Sequence, residues 1–261
     1  MKLAETFARA KSENRAALIG YMPAGFPNKE TSKKLIAAMV DGGVDIVEVG
    51  FPYSDPVMDG PVIQRAAEIA LKNKTSADDV FDVVAATQVP TLVMSYWNPI
   101  SRYGTTKFAE KLSGASGVGV ITPDLTVEES EEWIRATDEH GIDRVYVVAP
   151  STIDSRLAKV TRACSGFVYA ASLMGVTGAR TAISGAASEL VERVRKVTNL
   201  PVAVGLGVSN AEQAKEVAQY ADGVIVGSAF IKLVLESATE DEAVLRVRTL
   251  AEQLAAGVRR A

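Results

Sequence analysis

Short runs of β-branched and apolar residues alternate with longer stretches of helical periodicity along the whole chain. Eight of these runs predict strands, each bounded by Gly, Pro or polar residues. The predicted strands are AALIGYM (16–22), VDIVEVG (44–50), PTLVMSY (90–96), GVGVIT (117–122), DRVYVVA (143–149), GFVYAAS (166–172), PVAVGLG (201–207) and ADGVIVGS (221–228). A helical pattern follows each run, so the repeating unit of the chain is a strand followed by a helix.

Capping residues mark the start of several predicted helices. Thr126 and Thr239 each precede a Glu by three residues, which is the spacing of a capping box, and Asn210 precedes Gln213 in the same way. The helix that follows the first strand is expected to stop at the glycine pair 42–43.

Eight such units in 261 residues predict an α/β fold, a single closed (β/α)8 TIM barrel in which residues 1–261 form one domain. The segment LAETFARAKSEN (3–14) predicts an extra N-terminal helix that closes the barrel floor. An open doubly wound sheet is the alternative. That fold expects G-x-G-x-x-G after its first strand, whereas this chain reads MPAGFPNKE (22–30).

Composition excludes several classes of protein. The chain is 48% hydrophobic and 23% charged, as is usual for a chain that folds throughout. Its net charge of −4 and the lack of a Lys/Arg stripe argue against nucleic acid as a partner. No apolar run approaches the ~20 residues of a membrane span and the N-terminus lacks a secretory h-region, so we expect a cytoplasmic protein without membrane contact.

One cysteine, Cys164, and one histidine, His140, limit the available chemistry. They are too few for an internal disulfide or a structural zinc site, so no metal is expected. Cys164 has no basic activator nearby in sequence, which favours a structural thiol. His140 precedes Gly141 and is expected to complement a helix C-terminus. A Ser-His-Asp triad would depend on this single His, and no G-x-S-x-G elbow is present.

Glu48 is an acidic residue among aliphatic ones in the second predicted strand. Alternation along the strand directs Ile46 and Glu48 into the barrel and places Val47 and Val49 under the helices. Barrel enzymes place their catalytic groups at the carboxyl ends of the strands. Glu48 near that end therefore predicts a catalytic acid or base whose pKa is raised by apolar walls. A buried Glu paired with Arg or Lys is the alternative.

Asp59 follows in the loop GFPYSDPVMDGP (50–61). The Pro and Gly residues of this loop set turns that can bring the Asp59 carboxylate over the barrel mouth. A solvated or turn-forming Asp is the alternative at this position.

These residues resemble the α subunit of tryptophan synthase, whose signature is an E-x-G strand end followed by P-[FY]-S-D-P-x-x-D-G-P. The resemblance extends over most of the chain, through YWNP (96–99), PDL (123–125), GVTG (175–178) and GS (227–228). The family is a (β/α)8 barrel that cleaves indole-3-glycerol phosphate to indole and glyceraldehyde 3-phosphate. The resemblance therefore implies a lyase of tryptophan biosynthesis.

The resemblance also implies a role for each matching residue. Glu48 matches the general acid/base, and Asp59 matches the carboxylate that binds the indole N–H. The implied substrate-binding residues are Tyr21, Tyr96, Ile121, Tyr169, Thr177 and Leu206. The implied phosphate-binding residues are Gly207, Gly227 and Ser228, in the loops after strands 7 and 8 where barrels commonly hold phosphate, and Gly178 after the sixth strand. Ser54, Asp55 and Pro56 match a region of subunit contact, although a simple turn is the alternative there.

A β subunit that receives indole is the implied partner, in an α2β2 complex. Pyridoxal phosphate is expected on that subunit only, and no cofactor is expected in this chain. Three residues depart from the family pattern: Met58 replaces a small residue, Leu206 replaces a common Phe, and Thr126 replaces a common Pro. Met58 adjoins Asp59 in the loop, and Leu206 is expected to weaken binding of the indole ring through the loss of ring-to-ring contact.

Two other functions stay open from the sequence. One is another phosphate-binding barrel enzyme of the same pathway, such as phosphoribosyl anthranilate isomerase or indole-glycerol-phosphate synthase. The synthase uses a catalytic Lys at a strand end, and no predicted strand here carries one inward. The other is a binding subunit that mainly activates a partner and has weak activity of its own.

Overall fold

The computed structural model describes residues 2–171, 180–205 and 207–260. It contains eight parallel strands. They are β1 (Ala17–Pro23), β2 (Ile46–Gly50), β3 (Thr91–Met94), β4 (Gly119–Thr122), β5 (Asp143–Val148), β6 (Val168–Ala171), β7 (Val202–Gly205) and β8 (Gly223–Val226). The strands pair in chain order and β8 pairs with β1, so the barrel is closed and the open-sheet alternative is excluded. All eight predicted strands are confirmed.

Helices surround the barrel. Those that the structure describes are α1 (Leu3–Ser12), α2 (Lys29–Asp41), α3 (Pro61–Lys72), α4 (Ala77–Ala85), α5 (Trp97–Tyr103), α6 (Thr105–Gly114), α7 (Glu131–His140), α8 (Asp154–Ala163), α9 (Arg180–Arg195), α10 (Ala211–Ala218), α11 (Ser228–Leu235) and α12 (Glu240–Gly257), with a short 3₁₀ helix at Val127–Glu129. Within the described ranges, none of these helices is both long and apolar enough to cross a membrane.

The extra N-terminal helix is confirmed as the floor of the barrel. Leu3, Phe7 and Ala10 of α1 are buried in one apolar cluster with residues of the barrel interior. The ring of Phe7 lies 5.6 Å from that of Phe167, just before β6. Because this cluster also contains Ile46, the first residue of β2, α1 covers the amino-terminal ends of the strands.

The predicted alternation in β2 is also confirmed. Ile46 belongs to the interior cluster, whereas Val47 and Val49 belong to the cluster between the barrel and the helices. Glu48 pairs in register with Tyr21 of β1 on one side and with Leu92 of β3 on the other.

Two predicted helix caps are confirmed and one is wrong. The side-chain oxygen of Thr239 accepts the Glu242 N–H at 3.2 Å, and that of Asn210 accepts the Gln213 N–H at 3.0 Å. Thr126 precedes only the 3₁₀ helix and makes no side-chain cap bond. The next α-helix, α7, starts after Ser130, because the chain first makes a 3₁₀ turn that the Ser130 hydroxyl closes on the Val127 carbonyl at 2.8 Å.

The single His and the single Cys both lie at helix ends. His140 is the last residue of α7, and Gly141 follows with a φ of +65°, as a left-handed C-cap requires. Cys164 follows α8 at its C-cap position, and burial raises the pKa of its thiol to about 11. The thiol therefore stays protonated at neutral pH, as expected of a structural cysteine.

A buried carboxylate holds the floor together. Asp45, just before β2, accepts hydrogen bonds from Arg15 at 2.5 and 2.9 Å, from Arg9 at 3.2 Å, and from the Leu18 backbone N–H at 2.9 Å. Arg9 lies in α1 and Arg15 just before β1, so one carboxylate connects the N-terminal helix with two strands. The Asp45 hydrogen bond and charge, the first of these being the larger cause, raise the pKa of the Arg15 guanidinium.

Replacing Asp45 by Asn should therefore destabilise the fold. The amide keeps the volume but removes the charge that Arg15 faces, and Arg15 is only 11% exposed. Breaking a largely buried ion pair of this kind costs about 3–5 kcal/mol. Urea unfolding should show this loss. Asp41→Asn, at the exposed end of α2, is the matched control and should stay within about 0.5 kcal/mol of the parent. Equal midpoints for the two variants would contradict the role of Asp45.

Candidate active site

Glu48 is fully buried near the carboxyl end of β2. Within the part of the chain that the structure describes, neither of its carboxyl oxygens has a hydrogen-bond partner. Burial raises the pKa of Glu48 from 4.5 to about 8. The expected alternative, a Glu paired with Arg or Lys, is thus not what the described residues form. Glu48 is a buried acid that is mostly protonated at neutral pH.

Two tyrosines share the barrel mouth with the two acidic residues. Burial, followed by the charges of Asp59 and Glu48, raises the pKa of Tyr21 well above its usual 10.0. The same three causes raise the pKa of Tyr169, with Glu48 contributing more than Asp59. Since these charges act on both phenols, the structure brings Tyr21, Glu48, Asp59 and Tyr169 into one electrostatic environment.

Each tyrosine packs against a glycine of the neighbouring strand. A Cβ atom on Gly50 would lie 2.3 Å from the Tyr21 hydroxyl, and one on Gly205 would lie 2.5 Å from the Tyr169 hydroxyl. Tyr21 is in register with Glu48 and Tyr169 with Ala203, so in both cases the glycine lies two residues beyond the paired position. Sequence reasoning missed this role of Gly50 and Gly205. The shared offset between a Tyr and a strand-ending Gly was the available signal.

Asp59 is held over the mouth by Tyr96. The Tyr96 hydroxyl donates to Asp59 Oδ2 at 3.2 Å and accepts the Met58 N–H at 2.9 Å. The Asp59 N–H also donates to the Pro56 carbonyl at 3.0 Å, so Asp59 lies in a turn as well as at the mouth. Burial raises the pKa of Asp59, and the Tyr96 bond opposes that rise. Met58 is 58% exposed, and its backbone N–H helps to fix the loop.

Three of the four residues expected at the phosphate site, Gly207, Gly227 and Ser228, lie beyond β7 and β8. Gly207 has a φ of +67°, a conformation that favours glycine. Gly227 precedes α11 and offers no side-chain cap, which leaves the first N–H groups of that helix available to a ligand. A Cβ atom on Gly227 would lie 3.2 Å from the Tyr21 ring. Tyr21 therefore packs against Gly50, at the end of the strand that carries Glu48, and against Gly227, just before α11.

The remaining candidate residues are placed as follows. Ile121 of β4 is fully buried in the interior cluster. Thr177, Gly178 and Leu206 lie outside the described residues. Ser54 and Asp55 are exposed, and the Ser54 hydroxyl donates to Asp55 Oδ2 at 2.5 Å. No cluster of three or more His, Cys, Asp or Glu side chains within the described ranges could hold a metal ion.

Comparisons with a family model and with individual relatives indicate the same protein family. The family model described as tryptophan synthase alpha chain matches residues 7–259. The tryptophan synthase alpha chain of Thermobifida fusca is 57% identical to this chain, and the match covers 99% of this chain and 98% of the relative. That of Streptomyces coelicolor is 55% identical, with 98% and 96% covered.

Solved structures agree with the sequence comparison. A structure of Mycobacterium tuberculosis tryptophan synthase contains a chain that is 48% identical, with a TM-score of 0.92 over 99% of this chain and 98% of the other. Tryptophan synthase subunit alpha from Legionella pneumophila is 32% identical, with a TM-score of 0.90 over 99% and 98% of the two chains.

The raised pKa of Glu48 makes stability depend on pH. Its folded-state value of about 8 exceeds the ordinary 4.5, so the stability contributed by protonated Glu48 is present below pH 4.5 and is lost as the pH rises to about 8. Glu48→Gln cannot ionise. Between these pH values the free energy of unfolding of the parent should therefore fall relative to that of Glu48→Gln, by at most about 1.4 kcal/mol per pH unit. Urea unfolding at several pH values measures the difference.

Glu68→Gln is the control for this experiment. Hydrogen bonds from Lys72 and Arg65 lower the pKa of the exposed Glu68, so its contribution has the opposite sign and is lost as the pH falls. This variant should gain no stability over the parent at pH 8. Parallel pH curves for the parent and Glu48→Gln would contradict a buried, unpaired Glu48.

Proposed function

This chain belongs to the tryptophan synthase alpha chain family, and we propose that residues 1–261 form one catalytic domain that cleaves indole-3-glycerol phosphate to indole and glyceraldehyde 3-phosphate. The observation that supports this most is Glu48, a fully buried acid without a partner among the described residues at the barrel mouth. Asp59, a second acidic residue, shares that mouth. The reaction needs one group that gives and takes a proton and another that stays negative.

Glu48 serves as the proton donor and acceptor. Protonated Glu48 gives its proton to indole C3, and the ring becomes an electron-accepting iminium. The carboxylate so formed takes the proton of the adjacent glycerol hydroxyl. The O–H electrons form the aldehyde carbonyl, the carbon–carbon bond breaks, and its electron pair returns to the ring as indole leaves. Glu48 ends protonated, and a pKa of about 8 permits both transfers near neutral pH.

Asp59 stabilises the positive charge that develops on the indole nitrogen. A fixed anion that accepts the indole N–H stabilises the transition state more than the ground state, because the ring is charged only during the reaction. The Tyr96 hydroxyl orients the Asp59 carboxylate and leaves its other oxygen for the ligand. We propose that the ring binds among Tyr21, Tyr96 and Tyr169 above Ile121, together with Thr177 and Leu206.

The phosphate group binds at the start of α11. The backbone N–H groups there, the Ser228 hydroxyl and the close approach allowed at Gly207, Gly227 and Gly178 provide the site. The positive end of the helix dipole favours an anion at this position. Tyr21 packs both against Gly227 at this site and against Gly50, which ends the strand that carries Glu48.

We also propose a β subunit as partner, in an α2β2 complex in the cytoplasm, to which indole is passed. The solved relative from M. tuberculosis is a tryptophan synthase. The contact would involve the loop of Ser54, Asp55 and Pro56, since the adjoining Val57 and Met58 side chains are 80% and 58% exposed. Pyridoxal phosphate would bind the partner, and this chain would need no cofactor of its own.

The pH dependence of indole release by the isolated chain tests the reaction. kcat/KM should fall above about pH 8, where Glu48 loses the proton needed for the first step. It should also fall on the acid side, where Asp59 becomes protonated at a pH above its ordinary 3.8. Glu48→Gln should lose at least about a hundredfold in kcat while still binding a substrate analogue, because an amide cannot transfer a proton.

Asp59→Asn is the companion variant. It should be severely impaired, and its residual activity should lack the acid limb while keeping the alkaline one. A Glu48→Gln variant that retains kcat within about tenfold of the parent would refute the assigned role. Any indole release by the isolated chain also distinguishes a lyase from a subunit that only activates its partner.

The phosphate site predicts a different kinetic signature. Ser228→Ala removes one donor to a charged group, which is worth roughly 1.5–3 kcal/mol, so KM should rise by about tenfold or more. kcat should change less, because Ser228 is assigned to the phosphate and not to the reacting bond. Ser237→Ala, which affects a hydroxyl bonded to the Leu233 carbonyl at the other end of α11, is the control and should leave KM unchanged. Equal KM values for both variants would place the phosphate elsewhere.

A further inference from the structure

Asp124, in the loop after β4, caps a helix that belongs to a different loop. Its Oδ1 accepts the Trp97 backbone N–H at 2.8 Å. Trp97 is the first residue of α5, and Tyr96 at the N-cap position makes no side-chain cap bond. The first N–H groups of a helix lack partners within the helix, and the helix dipole favours a negative charge beside them. Asp124 supplies both the acceptor and the charge.

The capped helix begins directly after the residue that holds Asp59. Tyr96 donates its hydroxyl proton to Asp59 Oδ2 at 3.2 Å and accepts the Met58 N–H at 2.9 Å. Three loops are thus joined in series: Asp124 after β4 bonds Trp97 after β3, and the adjacent Tyr96 bonds Met58 and Asp59 after β2.

The surroundings of α5 make its position depend on this cap. The helix spans only seven residues, Trp97–Tyr103, and helices this short are not stable through their own hydrogen bonds. Ring contacts hold its start, with Trp97 5.7 Å from Trp133 and Tyr96 5.2 Å from Tyr53. These contacts fix distances between rings, whereas the Asp124 bond fixes the backbone direction from which the Tyr96 side chain projects.

We propose that Asp124 is a positioning residue: by capping α5 it fixes Tyr96, and Tyr96 in turn orients Asp59. The bond to Trp97 is exposed, so water competes for it, and its effect is on geometry more than on overall stability. The effect of Asp124 on Tyr96 and Met58 is independent of the reaction. Its effect on catalysis rests on the proposed function.

Amide hydrogen exchange tests the structural part without any assay of activity. Asp124→Ala should accelerate exchange at Trp97, which loses its acceptor, and at Met58, whose acceptor is Tyr96, by roughly tenfold or more. Asp124→Asn keeps a side-chain oxygen and should restore most of the protection. Thr239→Ala, which removes the comparable cap of α12, is the matched control and should leave both amides unchanged. Unchanged exchange at Met58 in Asp124→Ala would overturn the proposal.

Kinetics test whether the coupling reaches Asp59. Asp124→Ala should lower kcat for indole release by roughly ten- to a hundredfold, with a smaller change in KM, because misplacement of a catalytic group affects the chemical step. In a Tyr96→Phe background the link is already cut, so Asp124→Ala should then add less than about twofold. If the double variant loses kcat by the product of the two single-variant factors, the proposal is overturned. If the parent releases no indole, the proposed function fails and hydrogen exchange alone decides the role of Asp124.

Discussion

The proposed chemistry depends on a carboxyl group, that of Glu48, which is buried without a partner among the described residues. Glu48 shows this best beside Asp45, three residues earlier in the chain. Asp45 is also buried, but two arginines and a backbone N–H donate hydrogen bonds to it, and these bonds join the barrel floor. Glu48 has only burial, which favours its neutral form. The segment from Asp45 to Glu48 thus carries an ion-paired acid at the floor and, within β2, the buried acid for which proton transfer is proposed.

Much of this arrangement follows from local sequence. The β-branched runs identify the strands, and alternation within 44–50 identifies the direction of Glu48, because a strand has a period of two that packing does not change. Thr239 and Asn210 form their caps because each bond joins residues three apart. Thr126 has the same spacing and fails, since a 3₁₀ turn intervenes before α7.

What the sequence does not reveal are contacts between separate loops and strands. Asp124 and Trp97 are 27 residues apart, and only closure of the barrel makes the loops after β3 and β4 neighbours. The packing of Tyr21 on Gly50 and of Tyr169 on Gly205 likewise depends on strand register. In both pairs, a glycine at the end of one strand makes room for the tyrosine ring of the preceding strand. The walls of the mouth are built by this contact as much as by the tyrosines themselves.

The N-terminal helix α1 at the floor of the barrel determines where substrate enters and products leave. Leu3, Phe7 and Ala10 pack below the interior aliphatic layer, so apolar side chains close the described floor of the barrel. On the proposed reaction, substrate and both products must use the same opening at the top. Two molecules cannot pass each other in one opening. A product that stays bound there therefore blocks entry of the next substrate. A subunit bound at that rim would therefore control the order in which the two products are released, because it would cover one side of the opening.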